Sequence, residues 1–295
     1  MVQKNPKKYC LCVSGKLGSI VLNTLVEQKK SISCVLTDSQ SNEIIDVCDS
    51  VNIPCFKGNP RSHKAWEWLN DQKIKFDCLL SINYLFILDA DVLEMADVAV
   101  NFHGSLLPRY RGRTPHVWAI INGEKQCGIT AHMMNSKCDD GDIIKQLVVP
   151  ISEDDTGASI LNKYNELYPD FVLEIASLLE AGCIKPYTQD ISKATYYGKR
   201  TPDDGRINWD WQKERIRNWV RAQAAPYPGA FTYMDGEKII INKVIYSDMG
   251  YNDTDHNGMV LDVVNGCPIV KTQNGALIIK EFTSPIKIEK NKILI

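Results

Sequence analysis

The chain has 295 residues, of which 44% are hydrophobic and 24% are charged, and its formal net charge at pH 7 is −2. This composition is typical of a globular protein with one large domain or two smaller ones. The balanced charge excludes a general electrostatic affinity for nucleic acid or anionic membranes, and the apolar runs are too short for membrane insertion.

The N-terminal part of the chain alternates between predicted strands and predicted helices. Hydrophobic patterns predict strands over residues 9–14, 31–37, 53–56 and 76–82, and helices over residues 19–27, 42–51 and 62–69. This alternation predicts an α/β fold, with a Rossmann-like, mostly parallel sheet and helices on both of its faces. Gly15 to Gly18 lacks the full dinucleotide and P-loop patterns, so we interpret it as a structural turn.

The ten cysteines of the chain include no CxxC pair. Half of them lie in apolar, strand-like runs: Cys10, Cys12, Cys34, Cys78 and Cys127. We therefore expect buried, reduced thiols in a cytoplasmic protein, and we expect no metal site because no ligand spacing supports one.

The densest set of chemically useful side chains lies between Val98 and Ile144. A strand is predicted to end near Asn101 and His103, which lie two apart and so point to the same side of an extended backbone. A basic loop follows, and Thr114 with Pro115 then predicts the N-cap and first position of a helix. A second strand over residues 128–134 leads into the acidic turn 139–142.

These side chains suit acyl transfer to an amine. Ligands bind at the carboxyl ends of strands in open α/β sheets, so we expect Asn101, His103 and Asp139 to converge. The amide can donate a hydrogen bond to an oxyanion, and the carboxylate can hold the imidazole protonated and accept a proton from an amine. Asp140 is predicted to form the turn, although a misalignment by one residue would exchange it with Asp139. His116 and His132 are predicted to be structural or adjacent to a ligand.

The C-terminal part of the chain changes character. A long amphipathic helix is predicted over residues 156–181, a linker over 185–201 and a helix over 212–221. Short β-rich runs at residues 239–246, 259–264, 269–272 and 277–282 then predict a small antiparallel barrel or sandwich. We expect a catalytic domain over residues 1–188, a linker over 189–205 and a β-rich domain over 206–295.

The pair of Asn101 and His103, the loop SLLPRYRG and the turn CDDGDII resemble the active-site signature of the folate-dependent formyltransferases. YYGKRTPDDGRINW and PYPGAF resemble the start of the second domain in the ArnA-type sugar N-formyltransferases, which act on 4-amino sugars. The resemblance implies catalysis by Asn101, His103 and Asp139. It also implies an OB-like second domain and N10-formyltetrahydrofolate as co-substrate, without a metal.

The same resemblance implies where the ligands bind. The apolar loop after the fourth strand would line the pterin pocket, so Tyr84, Phe86 and Ile87 are predicted folate contacts. Asp142 of the acidic turn is a fourth predicted folate contact. The predicted contacts to the nucleotide sugar are Ser105, Arg109, Arg111, Arg113, Trp209 and Tyr227. Guanidinium groups match phosphate oxygens, and aromatic rings can stack on a base. The alternatives are a solvated basic loop for the arginines and core packing for the aromatic residues.

The negative net charge argues against a tRNA substrate. Enzymes for 3-amino sugars carry an aromatic residue after the loop proline, where this chain has Arg109. The resemblance therefore favours formyl transfer to dTDP-4-amino-4,6-dideoxyglucose for O-antigen or another surface polysaccharide. The alternatives are a methionyl-tRNA formyltransferase, a formyltetrahydrofolate hydrolase and a non-catalytic nucleotide-sugar binder. The β-rich segments could also form a homodimer.

Overall fold

A computed structural model describes residues 6–295. The strands are β1 (Lys8–Val13), β2 (Ser31–Thr37), β3 (Cys55–Lys57), β4 (Cys78–Ile82), β5 (Val98–His103), β6 (Arg111–Gly112), β7 (Gln126–Met133), β8 (Ile143–Pro150), β9 (Tyr196–Tyr197), β10 (Ala230–Met234), β11 (Glu237–Ser247), β12 (Val260–Val264), β13 (Cys267–Thr272) and β14 (Gly275–Thr283). The helices are α1 (Gly15–Glu27), α2 (Asn42–Ser50), α3 (Lys64–Asp71), α4 (Ala90–Glu94), α5 (Pro115–Ile121), α6 (Gly157–Ala181) and α7 (Lys213–Ala222). Two short 3-10 helices span Ile191–Lys193 and Pro202–Gly205.

The chain divides into two compact units. The first consists of the residues up to Gly112, Gly128–Val149 and Lys163–Tyr196, and the second of Arg113–Cys127, Pro150–Asn162 and Tyr197–Ile295. Each unit thus draws on separate stretches of chain. The predicted domain boundary at residues 189–205 stays a prediction.

A seven-stranded sheet forms the centre of the first unit, in the order β3-β2-β1-β4-β5-β7-β8. Strands β1 to β5 pair in parallel, as the alternation of strands and helices predicts. The pair β5 and β7 is antiparallel. The predicted α/β fold with a mostly parallel sheet is therefore confirmed, with an antiparallel pair at the strand that carries Asn101.

Successive side chains along each strand point to opposite faces of this sheet, and the two faces are covered by different helices. Cys10 and Cys12 of β1 belong to a core cluster that includes Leu69 of α3 and Val92 of α4. On the other face, the Tyr9 hydroxyl donates to a backbone carbonyl of α6, 3.3 Å away. Helices on both faces are thus explained by the period of two along each strand.

The predicted start of α1 differs from the structure, and the predicted start of α5 is confirmed. The predicted glycine turn is the first turn of α1, because only Gly15 has a positive φ (+62°) and the helix continues from it. Gly18 lies so close to β1 that an added Cβ would be 3.0 Å from the Val13 Cβ. Pro115 occupies the predicted first position of α5, but Thr114 makes no side-chain capping hydrogen bond.

The second unit contains a five-stranded antiparallel sheet in the order β10-β11-β14-β13-β12. The predicted β-rich second domain is confirmed. Strand β10 was not predicted because prolines immediately before it suggested a turn. Helix α7 packs against β11 and α5 packs against α7.

Within residues 6–295, no helix combines the length and the apolar character that crossing a membrane requires. All ten cysteines are free thiols, and the five predicted to be buried are buried.

Candidate functional site

Asn101 and His132 form the centre of the candidate site, which lies in the first unit. They are direct partners across the antiparallel pair of β5 and β7. The His132 Nδ1 atom lies 2.9 Å from the Met133 carbonyl oxygen, which can only accept, so Nδ1 carries the hydrogen. His132 Nε2 is then an acceptor for the Asn101 amide nitrogen at 3.1 Å. One amide hydrogen of Asn101 is fixed in this way and the other is left to donate elsewhere.

His103 lies two residues further along β5 and is 7% exposed. Its Nε2 atom lies 2.8 Å from the Tyr110 carbonyl oxygen, so Nε2 carries the hydrogen in the neutral ring. The Nδ1 atom faces the Asp139 Oδ1 atom at 3.5 Å. His103 therefore presents a basic nitrogen to a carboxylate, at a distance longer than a hydrogen bond.

Asp139 reaches the two histidines from the turn between β7 and β8. Its Oδ1 atom lies 3.5 Å from His103 Nδ1 and 3.7 Å from His132 Nε2. Its Oδ2 atom accepts a hydrogen bond from the Gly112 N–H at 2.9 Å. The two carboxylate oxygens thus have separate surroundings, one facing the imidazoles and the other facing the backbone.

Burial and charge set the ionisation of this group. Burial favours a raised pKa for Asp139, but His103, His132 and the Gly112 N–H outweigh it and hold the pKa well below its usual range. Burial lowers the pKa of His103, and the nearby carboxylate only partly offsets this effect. Burial of the ring thus opposes the expected imidazolium, while the Asp139 carboxylate favours it, and the protonation of the resting ring stays a prediction. Asp139 itself is held in its ionised form.

The structure brings Asn101, His103 and Asp139 together, but by a different route from the one predicted. Because β7 runs antiparallel to β5, the two strands do not end at the same sheet edge. The turn after β7 returns to the site instead, with Asp139 in the left-handed region at φ +55°. Asp140 points elsewhere and pairs with Arg111, so Asp139 is the carboxylate at the histidines.

His132 was not predicted to take part in this cluster. Thr130 and His132 are two apart on β7 and are opposite His103 and Asn101, respectively. The matching spacing of polar side chains on both strands was the available signal. It could be read only once the two strands were known to pair.

The three arginines of the basic loop have different surroundings. Arg109 and Arg113 are exposed, as a contact to phosphate requires. Arg111 is 1% exposed, and its Nη1 atom donates to the Asp140 carboxylate at 2.6 Å. The prediction that Arg111 contacts the nucleotide sugar is therefore wrong, because a fully buried guanidinium cannot reach a ligand in solution. The Ser105 hydroxyl is also buried, and it donates to the Arg109 carbonyl at 2.7 Å.

The predicted folate loop follows β4. Tyr84 and Phe86 are half-buried and contact each other edge to face, and Tyr84 also packs against the core cluster that contains Leu69. Ile87 is 59% exposed and Leu85 is 47% exposed. The loop thus exposes the aliphatic side chains of Leu85 and Ile87, while the aromatic pair of Tyr84 and Phe86 is more buried. Leu85 was missed, although the alternation of the loop sequence could have indicated it. Asp142, the fourth predicted folate contact, is half-buried, and its carbonyl accepts from the Met133 N–H.

An open cleft of about 510 Å³ adjoins this loop in the first unit. Its lining includes Gly15, Lys16, Asp38 and Leu85, which follow the carboxyl ends of β1, β2 and β4. The cleft lies where the strand order reverses between β1 and β4, which is the usual ligand position in open α/β sheets. The segment predicted as a structural turn therefore also borders a cavity.

In the second unit, Trp209 is 4% exposed, and its Nε1 atom donates to the Thr232 hydroxyl at 3.0 Å. The predicted contact of Trp209 with the nucleotide sugar is wrong, because the indole is part of the core. The hydroxyl of Tyr227 lies 2.9 Å from Nε2 of the buried His116.

Across the described part of the chain, no group of three or more His, Cys, Asp or Glu side chains could hold a metal ion.

The chain is similar in fold to several solved structures. The chain resembles a solved structure of WlaRD, a sugar 3N-formyl transferase in the presence of dTDP and 5-N-formyl-THF. The TM-score is 0.71 and the identity 18%, over 96% of this chain and 100% of that chain. It also resembles the N-formyltransferase from Helicobacter canadensis in complex with folinic acid and dTDP-3-aminofucose. There the TM-score is again 0.71 and the identity 18%, over 94% of this chain and 100% of that chain.

A third similar structure is HypX from Aquifex aeolicus in complex with tetrahydrofolic acid, with a TM-score of 0.62 and 18% identity. It matches 98% of this chain, which spans 45% of the HypX chain. These identities show a common fold. Residues 59–175 match the family model described as formyl transferase, and residues 199–291 match the one described as formyl transferase, C-terminal domain. The chain therefore belongs to the formyl transferase family.

Proposed function

We propose that the protein transfers a formyl group from N10-formyltetrahydrofolate to the amino group of a nucleotide-linked amino sugar. The observation that carries this proposal is the Asp139 carboxylate 3.5 Å from His103, beside an Asn101 amide that His132 orients. An amide donor, a basic ring and a carboxylate are the groups that formyl transfer to an amine requires.

In the proposed reaction the amine nitrogen attacks the formyl carbon, and the carbonyl electron pair moves onto oxygen. The free amide hydrogen of Asn101 stabilises this oxyanion. The neutral His103 ring, with Asp139 beside it, takes the proton that the amine loses, and the carboxylate stabilises the imidazolium as it forms. When the bond from carbon to N10 breaks, the proton passes to N10, which gives the formamide and tetrahydrofolate.

The folate ligand is supported by two observations. The loop after β4 exposes Leu85 and Ile87, which suit a flat, partly apolar ring. Similar structures contain 5-N-formyl-THF, folinic acid or tetrahydrofolic acid. We propose that the pterin packs on these two side chains and on the aromatic pair beneath them.

Exposed cationic side chains and the cleft support the proposal that a nucleotide sugar binds. Arg109 and Arg113 are the exposed arginines of the basic loop, and Lys16 borders the cleft at the start of α1. Guanidinium and ammonium groups at a helix N-terminus are suited to a diphosphate. Similar structures are named with dTDP or dTDP-3-aminofucose. We propose dTDP as the carrier, and we favour 4-amino-4,6-dideoxyglucose because Arg109 follows the loop proline.

The test is an assay of tetrahydrofolate release from formyltetrahydrofolate with 3-amino and 4-amino sugars on dTDP, UDP and GDP. We expect turnover with a dTDP-4-amino sugar. We also expect Asp139→Asn, which keeps the shape of the side chain, to lower turnover by about 10²–10⁴-fold. Release that does not depend on an amine would indicate a hydrolase, and full activity of Asp139→Asn would remove this carboxylate from the mechanism.

A further inference from the structure

The turn that carries Asp139 receives hydrogen bonds from a side chain elsewhere in the sequence. This turn joins β7 to β8, and Gly141 packs so tightly in it that an added Cβ would lie 1.8 Å from the Met133 carbonyl oxygen. The backbone carbonyls of Asp139 and Gly141 are buried, and buried carbonyls need donors.

Gln189 supplies both donors. Its Nε2 atom donates to the Asp139 carbonyl at 3.0 Å and to the Gly141 carbonyl at 2.7 Å. The side chain is 5% exposed, so water does not compete for these bonds. One carboxamide therefore holds both sides of the turn from a position 50 residues further along the chain.

Arg111 fixes which end of that carboxamide faces the turn. Its Nη2 atom donates to Gln189 Oε1 at 2.7 Å, and a guanidinium can only donate. The amide oxygen must therefore face Arg111, and the NH₂ group must face the two carbonyls. Arg111 Nη1 also donates to Asp140 at 2.6 Å, which ties the next residue of the turn to the same guanidinium.

The backbone beside Arg111 completes the arrangement. The Arg111 N–H donates to the Thr195 carbonyl at 2.8 Å, and the following Gly112 N–H donates to Asp139 Oδ2 at 2.9 Å. Because Oδ2 is held there, Oδ1 is left facing His103 and His132. The position of Asp139 thus depends on Gln189 for its backbone and on Gly112 for its carboxylate.

We infer that Gln189 is a positioning residue for Asp139, with its carboxamide oriented by Arg111, and that it sets the distance from the carboxylate to His103. This inference rests on the proposed formyl transfer for its effect on rate. Gln189 lies between residues 175 and 199, outside both stretches that match the family models. Its part in the site therefore comes from the contacts of this chain.

Two substitutions separate the two sides of the carboxamide. Gln189→Glu keeps an oxygen for Arg111 but replaces the donating NH₂ group with a second oxygen facing two carbonyls. Gln189→Met removes both interactions and adds no charge. The matched control is Gln223→Met in the second unit, because Gln223 is also buried and accepts from an arginine, Arg200, at 2.9 Å.

We expect both Gln189 variants to lower kcat by roughly 10–100-fold, because small displacements of a catalytic group have effects of this size, and to leave both KM values within about twofold. We expect Gln223→Met to leave kcat within about twofold. Thermal unfolding of each variant establishes that it is folded, and Gln189→Glu decides the rate test if Gln189→Met does not fold.

A second readout does not need turnover. The pKa of His103, measured by NMR with ¹³C-labelled histidine, should fall in Gln189→Met because the carboxylate recedes. The other groups that face this ring are His132, the Tyr110 carbonyl and Arg111, which also donates to Asp140. An unchanged His103 pKa in a folded Gln189→Met, or wild-type kcat in a folded Gln189→Glu, overturns the inference. A wild-type enzyme that formylates no amino sugar rejects the proposed function instead, and the NMR result then decides the positioning role alone.

Discussion

The Asn101 amide nitrogen lies 3.1 Å from His132 Nε2, and this contact leaves a single amide hydrogen of Asn101 for a ligand. The pair joins two adjacent strands and is fixed by the sheet register, so the donor is oriented before any substrate binds. Such orientation before binding is what makes an oxyanion donor effective.

We predict that Asn101→Ala lowers kcat by about 10²–10³-fold, the usual effect of removing one oxyanion donor. His132→Phe should lower kcat less, by roughly tenfold, because the amide remains but can rotate. Steady-state kinetics with both co-substrates measures these effects. A larger loss for His132→Phe than for Asn101→Ala would mean that His132 acts on the substrate directly.

The buried His116 predicts a pH dependence of stability. Burial lowers its pKa to about 4, whereas an unfolded histidine titrates near 6.5. Between these values the unfolded chain binds the proton and the folded chain does not, so stability falls as the pH drops. From this group we expect about 2 kcal/mol less stability at pH 5 than at pH 7.5.

Urea unfolding of the wild type and of His116→Gln at the two pH values measures this contribution. The variant should lose about 2 kcal/mol less than the wild type on acidification. Equal losses in the two proteins would show that His116 does not carry the effect.

The close packing of Gly141 predicts that a larger residue there would displace the backbone of the turn that carries Asp139. Alanine there would place a Cβ against the Met133 carbonyl, so the turn must move and Asp139 must move with it. We expect Gly141→Ala to lower kcat at least about tenfold and to reduce the melting temperature. Gly250→Ala is the matched control, since no atom lies within 4 Å of a Cβ added at that position. Similar behaviour of the two variants would contradict the close packing of the turn.

The exposure of Ile87 predicts that a substitution there affects folate binding and not stability. Its side chain is 59% exposed, so Ile87→Ser should leave the melting temperature within about a degree while raising the KM for formyltetrahydrofolate. Val148→Ser is the control, because Val148 is 54% exposed and lies on β8. An unchanged folate KM in Ile87→Ser would reject the proposed pterin contact.

The strands of the parallel sheet and the placement of Asn101 and His103 on one of them could be predicted because they depend on local periodicity. The antiparallel direction of β7 could not, since it depends on how the loop 104–125 returns to the sheet. That direction places His132, rather than Asp139, directly opposite Asn101 in the sheet.

The burial of Arg111 could not be predicted for a related reason. Its partners Asp140 and Gln189 lie 29 and 78 residues away along the chain. A basic loop with few apolar residues is typical of an exposed segment, and only distant contacts reveal that its middle arginine is inside.

The alternation of exposed, buried and exposed arginines at positions 109, 111 and 113 has a practical consequence for enzyme engineering. Under the proposed function, the outer two are the positions to exchange for a different sugar nucleotide, because both side chains are exposed. The inner one cannot be recruited for that purpose without disturbing the reaction centre. A library aimed at new donors or acceptors should therefore vary Arg109 and Arg113 and leave Arg111 unchanged.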